Sequence, residues 1–229
     1  MINTGKIWHS PLNVYWHIQE LTKKVGAEAI EKERKYQQVR EARVGAVMAL
    51  TMFKRMNKPA YLQLYKPDPP DVILMQPSKE IKGQIDITLV EITTYVRKPN
   101  ESLLDQLKRS KLKPGIPYLS DNYIIAVNVG IGLEVNYEPI RDYLNENKEL
   151  FPYPIWSFQQ ISNYPDTIGR IVIVNPKIIT IDVNIGESAD LWKKLKLPDV
   201  LNSNRVANPD LVRYEPSEKC YLTPWEAIN

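Results

Sequence analysis

The chain has 229 residues, 43% hydrophobic and 25% charged, which is ordinary for a soluble globular protein able to bury a substantial core. Thirty basic against 27 acidic residues give a formal charge of +3, too balanced to argue for nucleic acid by itself, since phosphate binding needs clustered charge. No apolar run approaches the roughly 18 residues of a membrane span, the amino terminus lacks the pattern of an export signal, and Cys220 stands alone, which excludes an intramolecular disulfide or a cysteine zinc cluster; a cytoplasmic location with no membrane partner is expected.

In chain order, residues 1–18 read as an aromatic extension containing His9 and His17, eight apart and poorly spaced for an adjacent ligand pair. From about Gln19 to Asn57 the pattern predicts a long helical region, in one piece or two. Its first part, ELTKKVGAEAIEKERKYQQVREAR, is charged and its second, VGAVMALTMFKRM, apolar; Gly26 and Gly45 permit bends or close packing. Pro59 is the stop signal. Strands are predicted at AYLQLY (60–65), DVILM (71–75) and the long β-branched QIDITLVEITTYV (84–96). A helix follows in ESLLDQLKRSKLK, ended by Pro114-Gly115, then a strand at 122–132, a short helix between Tyr137 and Glu149, and strands at 170–176 and 178–185 around a turn at Pro176-Lys177. The tail from Ser188 looks irregular, and its Trp192, Tyr221 and Trp225 argue for packing on the core. The expected organisation is an extension at 1–18, an α/β core at 19–187 with a mixed central sheet flanked by helices, and a C-terminal extension at 188–229.

Two carboxylates in apolar settings carry the functional argument. Asp71 opens a strand at a proline turn, and Glu91 lies inside the next one. A carboxylate left dry and unpaired in a strand costs several kcal/mol, so Glu91 requires a compensating group. If the two strands pair, Asp71 approaches Glu91 and a hard divalent cation would bridge them. Alternatively Asp71 caps or braces the turn and Glu91 forms an ion pair, for instance with an arginine; residue type and spacing leave both open. Glu91 and Thr93 share a strand face, with Asp86 opposite. On the helix, Glu41 ends a stripe with Val44, Met48 and Met52.

The order of a helix with Glu41, Pro70-Asp71, Glu91-Ile92-Thr93 in a strand, then helix and strand resembles the PD-(D/E)XK nuclease superfamily, the restriction-endonuclease-like fold, over roughly residues 30–132. That resemblance implies metal-dependent cleavage of DNA phosphodiesters with Mg²⁺, Mn²⁺ substituting. Asp71 and Glu91 would be the metal carboxylates, Glu41 the assisting one, and the main-chain carbonyl of Ile92 a further ligand. The motif lysine is replaced by Thr93, which carries no charge. Substitutes for it are Gln84, Lys82, Lys108, Arg109 and, foremost, Gln106 on the following helix. Arg97, Lys98, Lys108, Arg109 and Lys111 form the densest basic segment and would contact phosphates. A catalytically inactive member of the fold, binding nucleic acid or a protein partner, is the alternative that Thr93 favours. Subunit contacts through the aromatic, proline-rich ends would make a homodimer. The GIG at 130–132 lacks the third glycine of a phosphate loop, Asp166 repeats the PD dipeptide without a matching partner, Tyr164 and Asp166 could line a groove, and Asp182 is a further strand carboxylate.

Overall fold

Ser10 accepts the Asn13 amide at 3.0 Å and is followed by Pro11, a pairing of N-cap and first-turn proline that starts a helix well before Gln19. The computed structural model describes residues 7–56, 58–64, 70–77, 85–113, 123–162 and 167–202. In it β1 (Ile7–His9) leads into α1 (Pro11–Val25), α2 (Ala27–Lys32), a single 3₁₀ turn at Arg34–Tyr36 and α3 (Gln37–Met56). The predicted helical region is therefore in three main pieces. Gly26, at φ 88°, ends α1 in a conformation that L side chains rarely adopt, and Glu33 is extended.

The strands follow as β2 (Tyr61–Leu64), β3 (Val72–Pro77) and β4 (Ile85–Thr94), then α4 (Leu103–Ser110), β5 (Tyr123–Val129), α5 (Glu138–Glu146), β6 (Ile155–Gln160), β7 (Ile168–Ile173), β8 (Ile179–Asn184), α6 (Ile185–Lys194) and β9 (Val200–Asn202). They form one nine-stranded sheet in the order β8-β7-β6-β5-β4-β3-β2-β1-β9. Strands β4, β5 and β6 are parallel, joined by crossovers through α4 and α5, and the other pairs are antiparallel. The expected mixed α/β sheet with flanking helices is what the chain forms. Later parts of the chain differ from expectation as well. β6, IWSFQQ, is too short and too aromatic to announce itself between two prolines and a polar loop. The region after Ser188, expected to be irregular, continues α6 to Lys194, because Asn184 accepts the Glu187 amide and caps the helix.

The two faces of the sheet are distinct. Val72, Leu74, Val90, Ile124 and Ala126 bury against α1 and α3, with Val44, Val47, Met48 and Leu50 from α3. Ile125, Val127 and Val129 bury against Leu103 and Leu107 of α4 and Ile140 and Leu144 of α5. Strand alternation keeps these sets apart. A third cluster gathers Trp8, Phe53, Tyr61 and Trp192, with the Trp192 ring edge-on to Phe53 and Tyr61 at 5.2 and 5.4 Å. Helix and sheet approach closely at Gly45: a Cβ there would stand 2.8 Å from Val72 Cγ1, so only glycine lets α3 lie this low over the start of β3.

Candidate functional site

Residue alternation and ladder register together decide where the carboxylates fall. Val72 pairs with Val90, and Glu91 pairs with Ile125 on the other side of β4. Glu91 therefore shares the parity of Ile125 and points to the α4 face, as does Thr93 opposite Val127. Asp71, one residue before Val72, is laterally beside Glu91 where the β3–β4 ladder ends. Its amide donates to Val90 O at 3.0 Å, and its carboxylate Oδ2 accepts the Ile92 amide at 2.7 Å. The carboxylate thus braces the chain one residue past Glu91, the structural role open to a residue at a proline turn.

Glu91 is 4% exposed, and its Oε1 lies 2.5 Å from the ammonium of Lys111. The compensating group is thus an ion-pair partner, the alternative to a metal, and it is a lysine. Lys111 sits at the C-cap of α4, its amide donating to Leu107 O at 2.7 Å. Leu103, Leu107 and Lys111 recur every four residues, so the lysine lies on the buried stripe of the helix that packs over β4 and β5. Tyr153 donates from its hydroxyl to Lys111 O at 3.2 Å. Lys111, expected among the phosphate contacts, is instead the partner of Glu91; its four-residue spacing from two buried leucines is the signal in the sequence for that connection.

Gln106 is also buried, and both ends of its amide hold main chain: Nε2 donates to Thr94 O at 2.7 Å, and Oε1 accepts the Val96 amide at 3.2 Å. It fixes the exit of β4 to α4. That helix is started by a reciprocal capping box in which Ser102 and Asp105 bond each other's amides, and the Ser102 hydroxyl holds the Asp105 carboxyl below its ordinary range. Glu41 is buried on α3 and accepts from Gln37 Nε2 at 2.8 Å. It is one turn ahead of Gly45, hence near the start of β3, but α3 covers the face opposite α4.

The other predicted phosphate contacts differ from Lys111 in burial. Arg97, Lys98, Lys108 and Arg109 are exposed. Arg109 lies 2.5 Å and Lys98 3.6 Å from the carboxylate of Glu101, and the Lys108 ammonium rests 4.0 Å from the centre of the Tyr143 ring. Asp182 forms a bidentate pair with Arg170 at 2.7 and 2.9 Å, which lowers its carboxyl pKa. His9 Nδ1, at the end of β1, is 3.1 Å from Asn13 Nδ2, and His17 lies on the helix that carries Asn13. Lys82, Gln84, Tyr164, Asp166 and Cys220 lie outside the described residues.

Two carboxylates on neighbouring strands are a hard oxygen donor set of the kind Mg²⁺ takes, because Mg²⁺ is held by one or two carboxylates with water and phosphate completing the octahedron. No group of three or more His, Cys, Asp or Glu side chains able to hold a metal occurs among the described residues, so such a shell would be built on two carboxylates. None of their helices is long and apolar enough to cross a membrane. No family model, no curated protein and no solved structure matches the chain.

Proposed function

We propose that this chain hydrolyses phosphodiester bonds of DNA with a divalent metal, as a divergent restriction-endonuclease-like domain in which Asp71 and Glu91 are the metal carboxylates. The observation that carries the reading is the Lys111 ammonium, 2.5 Å from a buried Glu91 that register sets beside Asp71. Those are the two acidic groups and the one cation that this chemistry needs, with the cation arriving from α4 instead of from position 93.

A bound Mg²⁺ or Mn²⁺ would polarise the phosphodiester and lower the pKa of an attacking water. Asp71 and Glu91 would hold the ion, with the main-chain carbonyl of Ile92 as a further oxygen donor. Lys111 places positive charge where it can stabilise the developing phosphorane charge, a contribution Thr93 cannot make; removing one such group costs about 10²–10³ in rate. Arg97, Lys98, Lys108 and Arg109 stand on the exposed rim and bind backbone phosphates without sequence preference. Glu41, on the face that α3 covers, is left out of the shell, and Gln106 serves by holding β4 to α4.

The alternative, a catalytically inactive nuclease fold that binds nucleic acid or a protein partner, is favoured by Thr93 and by the protein partners that both carboxylates already have. Nicking of supercoiled plasmid with Mn²⁺ or Mg²⁺ separates the two. A folded Glu91→Ala protein that no longer nicks supports hydrolysis. Absence of metal-dependent cleavage over supercoiled, linear and single-stranded DNA, with DNA retained in a gel-shift assay, supports the alternative.

A further inference from the structure

We infer that Lys111 is a displaceable counter-ion: it occupies Glu91 when no divalent cation is bound and is released toward the substrate phosphate when one takes the carboxylate. The inference rests on the metal-binding reading of Asp71 and Glu91 and adds to it an order of events and a regulatory consequence.

The geometry makes the lysine and a metal ion competitors. Glu91 Oε1 is already in contact with the Lys111 ammonium, and the pair is largely removed from water, with side-chain exposures of 6% and 17%. Two cations cannot share that carboxylate at contact distance without repulsion, and in a poorly hydrated site that repulsion is little screened. The main chain of Lys111 does not need to move for the exchange. Its amide is fixed to Leu107 O and its carbonyl to the Tyr153 hydroxyl, so the flexible four-carbon stem alone carries the ammonium from one anion to another. A residue held at both ends of its peptide unit can deliver charge through its stem to a fixed neighbourhood. The phosphate, brought there by the exposed Arg97, Lys98, Lys108 and Arg109, is the anion at hand once Glu91 is occupied.

This arrangement has a consequence that a lysine on the strand would not have. Without metal, the ion pair closes the site and keeps Glu91 compensated; metal binding and lysine release are one exchange. Metal affinity and catalytic power then respond to Lys111 in opposite directions.

The test is a titration of Mn²⁺ into the full chain, followed by calorimetry and by the free Mn²⁺ signal in electron paramagnetic resonance. Wild type, Glu91→Ala, Lys111→Met, Lys111→Gln and Lys111→Arg are compared. Lys111→Met should bind Mn²⁺ about tenfold more tightly than wild type, since the competing charge is gone while the carboxylate remains. Lys111→Gln, which keeps a hydrogen-bond donor without the charge and protects the measurement should the methionine variant not fold, should change in the same direction. Lys111→Arg keeps the counter-ion and should stay close to wild type, and Mn²⁺ should raise the melting temperature of the neutral variants by more than it raises that of wild type. Glu91-dependent binding that is equal or weaker in the neutral variants overturns the exchange and leaves the metal site standing. Absence of any Glu91-dependent binding in wild type and in the neutral variants overturns the metal reading and the exchange together.

Discussion

The Asp71 carboxylate accepts the Ile92 amide at 2.7 Å across two antiparallel strands, so the residue that opens β3 is tied to the residue immediately after Glu91. One side chain therefore sets the spacing of the two carboxylates, and the metal binding proposed for it would be a second function of a group that already braces the chain.

Those two functions separate by substitution. Asp71→Asn keeps an oxygen for the Ile92 amide and removes the charge; it should stay within about 1 kcal/mol of wild type in urea unfolding and lose metal-dependent nicking. Asp71→Ala should lose the nicking and, by leaving the amide without its acceptor, about 1–3 kcal/mol of stability. Full nicking in Asp71→Asn would reduce the residue to a brace.

Gln106 presents the converse case. Gln106→Leu strands the Thr94 carbonyl and the Val96 amide, and should cost about 2 kcal/mol in urea unfolding. Its nicking rate should fall no further than misplacement of α4 accounts for. Loss of nicking at unchanged stability would return Gln106 to a direct part in the reaction.

Gly45→Ala gains helix propensity of up to about 1 kcal/mol but drives a methyl to 2.8 Å from Val72 Cγ1. Val72 is fully buried and β-branched, so it cannot rotate away cheaply. Overpacking of this kind costs about 1–3 kcal/mol, and the net result should be a lower melting temperature. Because Val72 adjoins Asp71, nicking should fall more steeply than stability alone predicts; an unchanged or raised melting temperature would contradict the close packing.

Acid sensitivity should come in part from β1 and the helix that follows it. Burial, then the nearby His17, holds His9 below its ordinary pKa of 6.5, and burial lowers His17 as well. A group whose folded pKa is depressed contributes stability that is fully present above the unfolded value and is lost as the pH falls through the folded one. The melting temperature should therefore hold above pH 6.5 and decline below it. Protonation also turns His9 Nδ1 into a donor facing the Asn13 amide nitrogen, 3.1 Å away. His9→Gln should flatten the decline; an unaltered pH profile would place the sensitivity elsewhere.

The local signals that succeeded were strong and short in range. β-branched runs marked β4 and β5, Pro59 closed the helical region, and alternation put Glu91 and Thr93 on one face. The signals that failed were weak or required another element. β1 is three residues long and has meaning only between β2 and β9, while α1 begins where a serine and a proline cooperate, inside what looked like an extension.

The sequence by itself determined which residues are chemically conspicuous, namely a carboxylate at a proline turn, a carboxylate inside an apolar strand and a threonine two positions later, because burial cost and strand parity are local properties. Only the tertiary structure decided what compensates Glu91. That depended on a parallel crossover laying the C-terminal end of α4 over β4, twenty residues later in the chain. It likewise decided that α3, with Glu41, lies on the opposite face, since the side of a sheet that a helix covers is fixed by packing between elements and not by the pattern within either.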